Sequence, residues 1–597
     1  MQVTKRLEAF RAKMAQENVC VAIVPTADSH ASEYLADHFK ARQWLCGFTG
    51  SAGTLVVARD EAALFADGRY FIQAERQLAG SGVALMRMGV AGVPTLEEYV
   101  KDLLEAGDTL GVDYSLVSAS FARTLTDWAA KRGAHLQDTG DWFDGLWADR
   151  PEMPSAKAFV LDVQYAGRSA KEKLCDIREA MRAAGAQAHV VNVLDDIAWT
   201  LNVRGGDVLY TPVVMSYLLI DGENATWFVD PAKVTDAVRG AMAEAGVAIR
   251  GYGEIEEALS QLAAGTSVLI DSGKMTARLC AALSHTKIIE GKNPAMRMKA
   301  IKNETELACL RRAHVKDGLA VTRLMYWLKK NAGRVPMSEI SVSDKLLALR
   351  AEQEDFISPS FSTICAYREN AAMMHYSATT ETDATIEPRD LLLIDSGGQY
   401  LDGTTDITRT FAMGEVTPEQ KKHFTAVVCS VLNLAGAKFL HGCAGISLDI
   451  LARGPIWDMG IDYRCGTGHG VGFLLSVHEG PNGFRWHVSE GRQENTVLEP
   501  GMVTTDEPGV YIEGSHGIRT ENELVCREIE CNEYGQFLGF ETITCAPIDL
   551  DAVIPEQMTA KQRAQLNEYH AFVRNTLSPL MADEDGRAWL AHATREI

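Results

Sequence analysis

The stretch LLLIDSGGQYLDGTTDITRTF, residues 391–411, predicts a β-hairpin with an aspartate near the base of each arm. Its first four residues are continuously apolar, which is typical of a buried strand, and the strand runs into Asp395. Glycine-rich turns follow, and a second strand begins around Asp406. The odd offset between the two aspartates lets them face each other across a hairpin, so we expect Asp395 and Asp406 directly opposite on one face.

Two buried carboxylates that face each other repel unless cations lie between them. Hard divalent ions such as manganese or magnesium take oxygen ligands, so the hairpin predicts a pair of metal ions. The alternative is an ordinary hairpin whose aspartates cap turns, and Asp402 beside Gly403 fits that description. More ligands elsewhere in the chain would decide between the two for Asp395 and Asp406.

Length and composition indicate a multidomain globular protein. A chain of 597 residues is too long to fold around a single hydrophobic core, so three or four domains are expected. A net charge of −22 argues against a nucleic-acid-binding surface. The 12 cysteines include no Cys-x-x-Cys pair, which favours reduced thiols. The first residues lack a secretory apolar core, and no apolar run is long enough to span a membrane. We therefore expect a cytoplasmic protein without membrane contact.

The first half of the chain shows the same plan twice, a helix followed by strands and turns. Trp44 aligns with Trp199, and Phe65-Ala66-Asp67 aligns with Phe228-Val229-Asp230. This predicts two copies of one α/β domain. The expected domains are 1–155, 156–295, a third unit at 296–545 and a helical C-terminal extension at 546–597.

The third unit is expected to begin with a long helix. Pro294 marks a break, and Asn303 followed by Glu306 fits a helix N-cap with its capping-box partner. The apolar pattern carries this helix to about Lys330. In the tail, helical patterns cover Gln562–Leu577 and Gly586–Ala593.

Further stretches of the third unit carry residues able to bind metal or substrate. They are MMHYSA with His375, CGTGHGVGFLLSVHEGP with His469 and His478, VTTDEPGVY with Glu507, and GIRTENELV with Glu521. Arg519, two residues before Glu521, is expected on the same strand face. Each alone has an ordinary explanation, such as a core histidine or a turn. Together with the two aspartates, they predict an oxygen-rich site with one imidazole, which suits Mn²⁺ or Co²⁺ better than a thiolate zinc site.

The order Asp, Asp, His, Glu, Glu in the contexts IDSGGQY…TTDITRTF, GTGHGVG, DEPG and GIRTEN resembles the pita-bread metallopeptidases. That M24 group contains methionine aminopeptidase, prolidase and aminopeptidase P. Within it, GFTGSAG, DGRYFIQA, AWTLNVRG with VVMSY, and VHEGP resemble the long, three-domain cytosolic Xaa-Pro aminopeptidases. The implied fold is a mixed α/β and α+β chain, with two creatinase-like N-terminal α/β domains followed by a pita-bread catalytic domain.

The resemblance implies a role for each matching residue. The metal ligands would be Asp395, Asp406, His469, Glu507 and Glu521, with Asp406 and Glu521 bridging both ions. His375 and His478 match substrate-side histidines, Arg69 matches a substrate-cleft arginine, and Arg519 would support the ligands from behind. One position departs from the family: Cys465 stands where a histidine is frequent.

The implied reaction removes the N-terminal residue from peptides with proline in second position. A hydroxide between two divalent ions, Mn²⁺ with Co²⁺ or Zn²⁺ as alternatives, would attack the carbonyl before proline. Glu507 would act as general base, while His375 and His478 would donate hydrogen bonds to the carbonyl or oxyanion. The resemblance also implies a homodimer.

Other functions fit parts of the sequence. A prolidase, which cleaves only Xaa-Pro dipeptides, uses the same metals. A non-catalytic binding module, like the histone-chaperone relatives of this fold, and metal-free creatinase-like hydrolysis both fit poorly, since all five ligand positions are occupied. A structural metal site would favour a closed shell rich in cysteine and histidine.

Overall fold

The computed structural model describes residues 2–488 and 495–597. The chain divides into two compact units. Unit 1 contains Met1–Asp162 and Arg168–Ala295, and unit 2 contains Val163–Gly167 and Met296–Ile597. Along the described residues, no helix is both long enough and apolar enough to cross a membrane.

The first domain of unit 1 is a six-stranded sheet in the order β4-β3-β2-β1-β5-β6. Helix α1 packs through Leu7, Phe10 and Met14, whose spacing puts them on one helix face. The strands are β1 Val21–Pro25, β2 Thr54–Ala58, β3 Ala62–Ala66, β4 Ala84–Arg87, β5 Thr109–Val112 and β6 His135–Asp138. The helices are α1 Val3–Gln16, α2 Ala41–Cys46, α3 Phe71–Leu78, α4 Leu96–Leu103, α5 Ala119–Lys131 and α6 Phe143–Leu146.

The second domain has a sheet of the same order, β12-β11-β10-β8-β13-β14. Phe65 and Phe228 occupy equivalent places in the matching strands β3 and β11, as the sequence alignment predicts. The strands are β7 Phe159–Val160, β8 Ala188–Val191, β9 Val203–Arg204, β10 Ser216–Asp221, β11 Ala225–Val229, β12 Val247–Arg250, β13 Ser267–Ile270 and β14 Lys287–Glu290. The helices are α7 Val163–Ala166 (in unit 2), α8 Ala170–Ala183, α9 Leu194–Leu201, α10 Asp236–Ala245, α11 Ile255–Ser260 and α12 Ala277–Ala282. The prediction of a repeated α/β fold is confirmed.

After the second domain, three helices precede the sheets of unit 2 that carry the candidate site. Its helices are α13 Pro294–Ala300, α14 Glu304–Asn331, α15 Glu339–Ala351, α16 Pro418–Ala435, α17 Gly445–Trp457, α18 Ala560–Leu577 and α19 Glu584–Ala593. Asn303 caps α14, and the capping box with Glu306 is formed as predicted. Helices α18 and α19 confirm the helical tail, which packs on α14 through Val573, Leu577 and Leu590.

Antiparallel sheets form the centre of unit 2, and the largest has the order β21-β28-β27-β24-β22-β23. A three-stranded sheet β16-β17-β20 lies in a core with α14, through side chains such as Leu392, Phe411 and Leu324. The strands are β15 Phe356–Pro359, β16 Ile364–Tyr367, β17 Leu391–Ser396, β18 Gly398–Tyr400, β19 Gly403–Thr404, β20 Ile407–Ala412, β21 Lys438–Leu440, β22 Gly468–Gly470, β23 Glu479–Phe484, β24 Val503–Asp506, β25 Gly509–Ile512, β26 His516–Arg519, β27 Asn522–Asn532 and β28 Gly535–Thr542.

The hairpin register differs from the prediction. Asp395 pairs with Thr408, so Asp406 is not directly opposite but lies two residues earlier, just before β20. The loop between the arms is itself a small hairpin, β18–β19, which belongs to a different sheet with β15. Its length therefore does not set the register of the outer arms. Because side chains alternate along a strand, the two aspartates still project from the same side.

A second expectation, that Arg519 and Glu521 share one strand face, is also wrong. Strand β26 ends at Arg519, and β27 begins at Asn522 in another sheet, so Glu521 lies in the link between them. The backbone N–H of Glu521 instead donates to the Thr408 carbonyl at 3.1 Å. This bond holds Glu521 beside the hairpin arm that follows Asp406.

Candidate active site

Asp406, His469 and Glu521 form the centre of the site. One possible ligand atom from each lies within 4.8 Å of the others. The His469 Nε2 atom is 3.5 Å from Asp406 Oδ2 and 3.4 Å from Glu507 Oε1, which adds a fourth donor. Four separate segments of unit 2 therefore meet here with carboxylate and imidazole groups, the ligand types that Mn²⁺ and Co²⁺ accept.

The His469 ring is oriented by its own strand. Its Nδ1 lies 2.9 Å from the Gly470 carbonyl, and a carbonyl only accepts, so Nδ1 carries the proton in the neutral ring. Nε2 is then an unprotonated acceptor that faces the carboxylates. The backbone N–H of His469 donates to the Thr505 hydroxyl at 3.0 Å, which fixes β22 against β24. This is the tautomer that a metal-binding histidine requires.

Asp395 completes the acidic set from strand β17. One oxygen, Oδ2, accepts a hydrogen bond from the buried guanidinium of Arg519. The other, Oδ1, is buried and has no hydrogen-bond partner among the described residues. Because a buried carboxylate oxygen without a partner is costly, Oδ1 is suited to bind a cation.

The electrostatics of the site require positive charge. Burial, together with the nearby carboxylates Asp395 and Glu507, raises the pKa of Asp406 well above its usual range. Burial and the charges of Asp406, Glu507 and Asp395 do the same to the pKa of Glu521. Arg519 is the cation that opposes these shifts at Asp406. The donors therefore fit divalent cations, whose charge would allow all the carboxylates to ionise together.

Of the two histidines predicted to contact substrate, His478 lies directly against this group. The His478 ring packs edge-on against His469, with 4.2 Å between ring centroids. His375 follows Met374, whose carbonyl accepts from Arg519 Nη2 at 3.4 Å. Cys465 is also adjacent: burial and the charge of Glu507 raise the pKa of its thiol to about 12, so it stays protonated at neutral pH.

Comparison with known proteins places the chain in a family. The model for metallopeptidase family M24 matches residues 308–528, and its C-terminal region matches 536–597. Two matches to the creatinase/prolidase N-terminal domain cover 6–146 and 149–306. A probable Xaa-Pro aminopeptidase P from Botryotinia fuckeliana is 39% identical, over 99% of this chain and 92% of that protein. The chain belongs to metallopeptidase family M24.

Solved structures agree with this M24 assignment. An X-prolyl aminopeptidase from Caenorhabditis elegans, described as a cytosolic enzyme with a di-nuclear active site, superposes with a TM-score of 0.95. It is 31% identical, and the match covers 100% of both chains. An Xaa-Pro dipeptidase from Bacillus anthracis is 26% identical with a TM-score of 0.50, and covers 65% of this chain and 100% of its own. The three-domain fold predicted from sequence is confirmed.

Several residues of this M24 site were not predicted from sequence. Glu523 Oε1 accepts the Asp406 backbone N–H at 2.8 Å, and Thr408 Oγ1 donates to Glu521 Oε2 at 2.7 Å. Thr505 donates to Glu507 Oε1 at 3.2 Å. Their signal is positional, because each lies two residues from a proposed ligand. They hold the Asp406 backbone and the Glu521 and Glu507 carboxylates in place.

Arg69 belongs to unit 1, which supplies none of the proposed ligands. Its Nε and Nη2 atoms donate to the two oxygens of Asp67, each at 2.8 Å, and the guanidinium lies over the Tyr70 ring. The side chain is only 18% exposed. The Arg69–Asp67 pair is therefore bidentate, which fixes the direction of the guanidinium.

Proposed function

We propose that this chain is a metal-dependent aminopeptidase that removes the N-terminal residue from peptides with proline in second position. The observation that carries the proposal is the convergence of Asp406, His469 and Glu521, with Asp395 and Glu507 beside them. Full-length relatives named Xaa-Pro aminopeptidase support the substrate class.

Two divalent cations, with Mn²⁺ favoured, would be held by Asp395, Asp406, His469, Glu507 and Glu521. When bound, they lower the pKa of a coordinated water and polarise the substrate carbonyl. Within the protein, Arg519 keeps Asp395 in place, and Glu523 keeps the Asp406 backbone in place. The chain therefore provides a rigid acidic frame.

Glu507 is suited to move the proton of the reaction. It follows β24, with its backbone N–H held by the Thr467 carbonyl at 2.8 Å and its Oε1 held by the Thr505 hydroxyl. Its side chain is 21% exposed, so substrate has access to it. As general base, Glu507 accepts the proton from the attacking water and delivers it to the departing proline nitrogen.

His478 and His375 would orient the substrate. Their imidazole N–H groups are the donors expected to bind the carbonyl oxygen of the residue before proline, where negative charge develops. The edge-on contact of His478 with His469 places this donor next to the proposed ligands. A ring in this position stabilises the oxyanion without holding a metal.

Chelation tests the proposal. Protein stripped with a chelator should not hydrolyse Arg-Pro-Pro, and Mn²⁺ should restore release of arginine. Full activity of protein shown by elemental analysis to be free of metal would refute a dinuclear mechanism. A creatinase-like reaction, in contrast, would proceed in the metal-free protein.

Arg69→Ala is expected to weaken the binding of longer peptides. A guanidinium oriented by Asp67 offers N–H donors to a carbonyl or carboxylate beyond the proline. We expect a higher KM for tripeptides and pentapeptides, with metal content and thermal stability unchanged. Steady-state kinetics on a length series measures this.

Arg87→Ala is the matched control, since Arg87 forms a surface pair with Glu75 and lies over the Phe71 ring in the same domain. It should leave all kinetic constants unchanged. Equal kinetics of wild type and Arg69→Ala on a pentapeptide would remove Arg69 from the substrate site.

A homodimer is part of the proposal, as is a cytoplasmic location. Unit 2 exposes a cluster of apolar side chains on α17 and after β23, where the Trp457 and Trp486 rings are 5.8 Å apart. Ile450 and Val488 are exposed in the same segments. An exposed pair of tryptophan rings in contact is typical of an interface. The C. elegans relative is described as a cytosolic enzyme, which supports the cytoplasmic location.

Light scattering tests the dimer. We expect about twice the chain mass of 65.2 kDa at micromolar concentration, and a shift toward the monomer in Trp486→Asp. A wild-type mass of one chain would contradict the dimer.

A further inference from the structure

Glu479, directly after His478, is enclosed by two lysines. Its Oε2 accepts from Lys299 Nζ at 2.7 Å, and its Oε1 accepts from Lys302 Nζ. The side chains of all three are at most 5% exposed. We call these three residues the lysine clamp. Nothing in the mechanism above uses it.

A buried carboxylate between two ammonium groups is fixed in position. Each charge has lost its water, and the ion pairs compensate for that loss, so a displaced carboxylate would cost the free energy of these pairs. The clamp therefore holds Glu479 more firmly than an exposed ion pair would. Because Glu479 begins β23, its position also fixes the start of that strand.

The start of β23 lies against the strand of the proposed histidine ligand. Glu479 is the register partner of Gly470, the residue after His469. The backbones approach so closely that a Cβ on Gly470 would lie 2.3 Å from the Glu479 carbonyl oxygen. The clamp therefore lies next to the contact between His478 and His469. The ring centroids of these two histidines are 4.2 Å apart.

The clamp also connects this strand to the strand of the proposed base. The backbone N–H of Lys302 donates to the Gly501 carbonyl at 3.0 Å, and Ile301 bridges to Met502. Those residues lead directly into β24, which ends before Glu507. The short segment 299–302 therefore contacts both the start of β23, which follows His478, and the residues before β24, which precedes Glu507.

We propose that Glu479 is a positioning residue for hydrolysis: held by Lys299 and Lys302, it sets the position of the His478 imidazole. This rests on the proposed function, in which His478 binds the developing oxyanion. His478 directly precedes Glu479, and its ring lies 4.2 Å from that of His469. A Glu479 held in the clamp therefore fixes the backbone from which His478 reaches the site.

Glu479→Gln should lower kcat for Arg-Pro-Pro by roughly 10- to 100-fold, the loss expected from a misplaced catalytic group. KM should change less than twofold, and two metals per chain should remain by elemental analysis. A mere loss of folded protein would instead appear as a lower active fraction and lower melting temperature with unchanged kcat per folded molecule.

A double-mutant cycle decides whether Glu479 acts through His478. In the His478→Ala background, Glu479→Gln should cause no further loss of kcat, because the group it positions is absent. The control is Asp549→Asn, which breaks a buried pair with Lys329 at the end of β20. Any effect of this control should be the same in both backgrounds.

Variants of Lys302 test the same inference if Glu479→Gln does not fold. Lys302→Gln keeps a one-to-one pair between Glu479 and Lys299, and should give a smaller loss of kcat with the same dependence on His478. Lys302→Arg keeps the cation and should retain near wild-type kcat. Equal losses with and without His478, or loss of metal in Glu479→Gln, would overturn the inference.

Different results would refute the proposed function itself rather than the role of Glu479. They would appear before any clamp variant is made, as wild-type protein inactive on Arg-Pro-Pro or as His478→Ala with full kcat.

Discussion

Asp406→Ala and Glu521→Ala are each expected to lose both metal ions and all measurable hydrolysis. The two residues are 4% and 1% exposed, and each contributes an atom to the central donor group. If both carboxylates bridge the ions, as proposed, either substitution removes a ligand from each metal and one unit of compensating charge. Elemental analysis after desalting, with hydrolysis of Arg-Pro-Pro, measures the effect.

Asp402→Ala is the control for this prediction. Asp402 is also buried and lies four residues before Asp406, but its carboxylate binds Arg312 and Lys316, each at 2.6 Å. This variant should keep two metals per chain, whatever it does to stability. Retention of both ions in Asp406→Ala would show that Asp406 is not a bridging ligand.

His478→Ala and His375→Ala are expected to keep both metals and lose roughly 10²–10³-fold in kcat, the usual cost of removing an oxyanion donor. In the proposed mechanism each imidazole binds charge that develops only in the transition state, so kcat falls while the metal donors remain. Steady-state kinetics with parallel metal analysis separates the two effects.

His441→Ala serves as the matched histidine control. His441 is 41% exposed and pairs with Glu499. Its removal should leave kcat and metal content unchanged. If His478→Ala or His375→Ala instead loses bound metal, that histidine is a ligand and its proposed role is wrong.

Motifs at strand ends made much of the site predictable. Asp395 terminates an apolar run, and His469 and Glu507 occupy short glycine- or proline-containing segments, so local pattern alone singled them out. The helix–strand pattern occurs twice, with Phe65 and Phe228 at equivalent positions, and it indicated two related sheets. The structure shows the same strand order in both. These features depend on residues close together in sequence.

Features that depend on distant pairing were not predictable. The register of Asp395 against Thr408 follows from a loop that joins another sheet, which loop length does not reveal. The contact of Glu479 with Lys299 and Lys302 joins segments nearly two hundred positions apart. A lysine near a helix end has no local pattern that marks it as buried.

Substrate length tests the central claim most directly. Manganese-loaded protein should be given Arg-Pro-Pro, the dipeptide Arg-Pro and a Met-Ala peptide at equal concentration, with products identified by mass spectrometry. The account predicts rapid release of arginine from Arg-Pro-Pro, poor turnover of Arg-Pro and no cleavage of the Met-Ala peptide. Efficient hydrolysis of Arg-Pro with an intact tripeptide would contradict it and identify a prolidase.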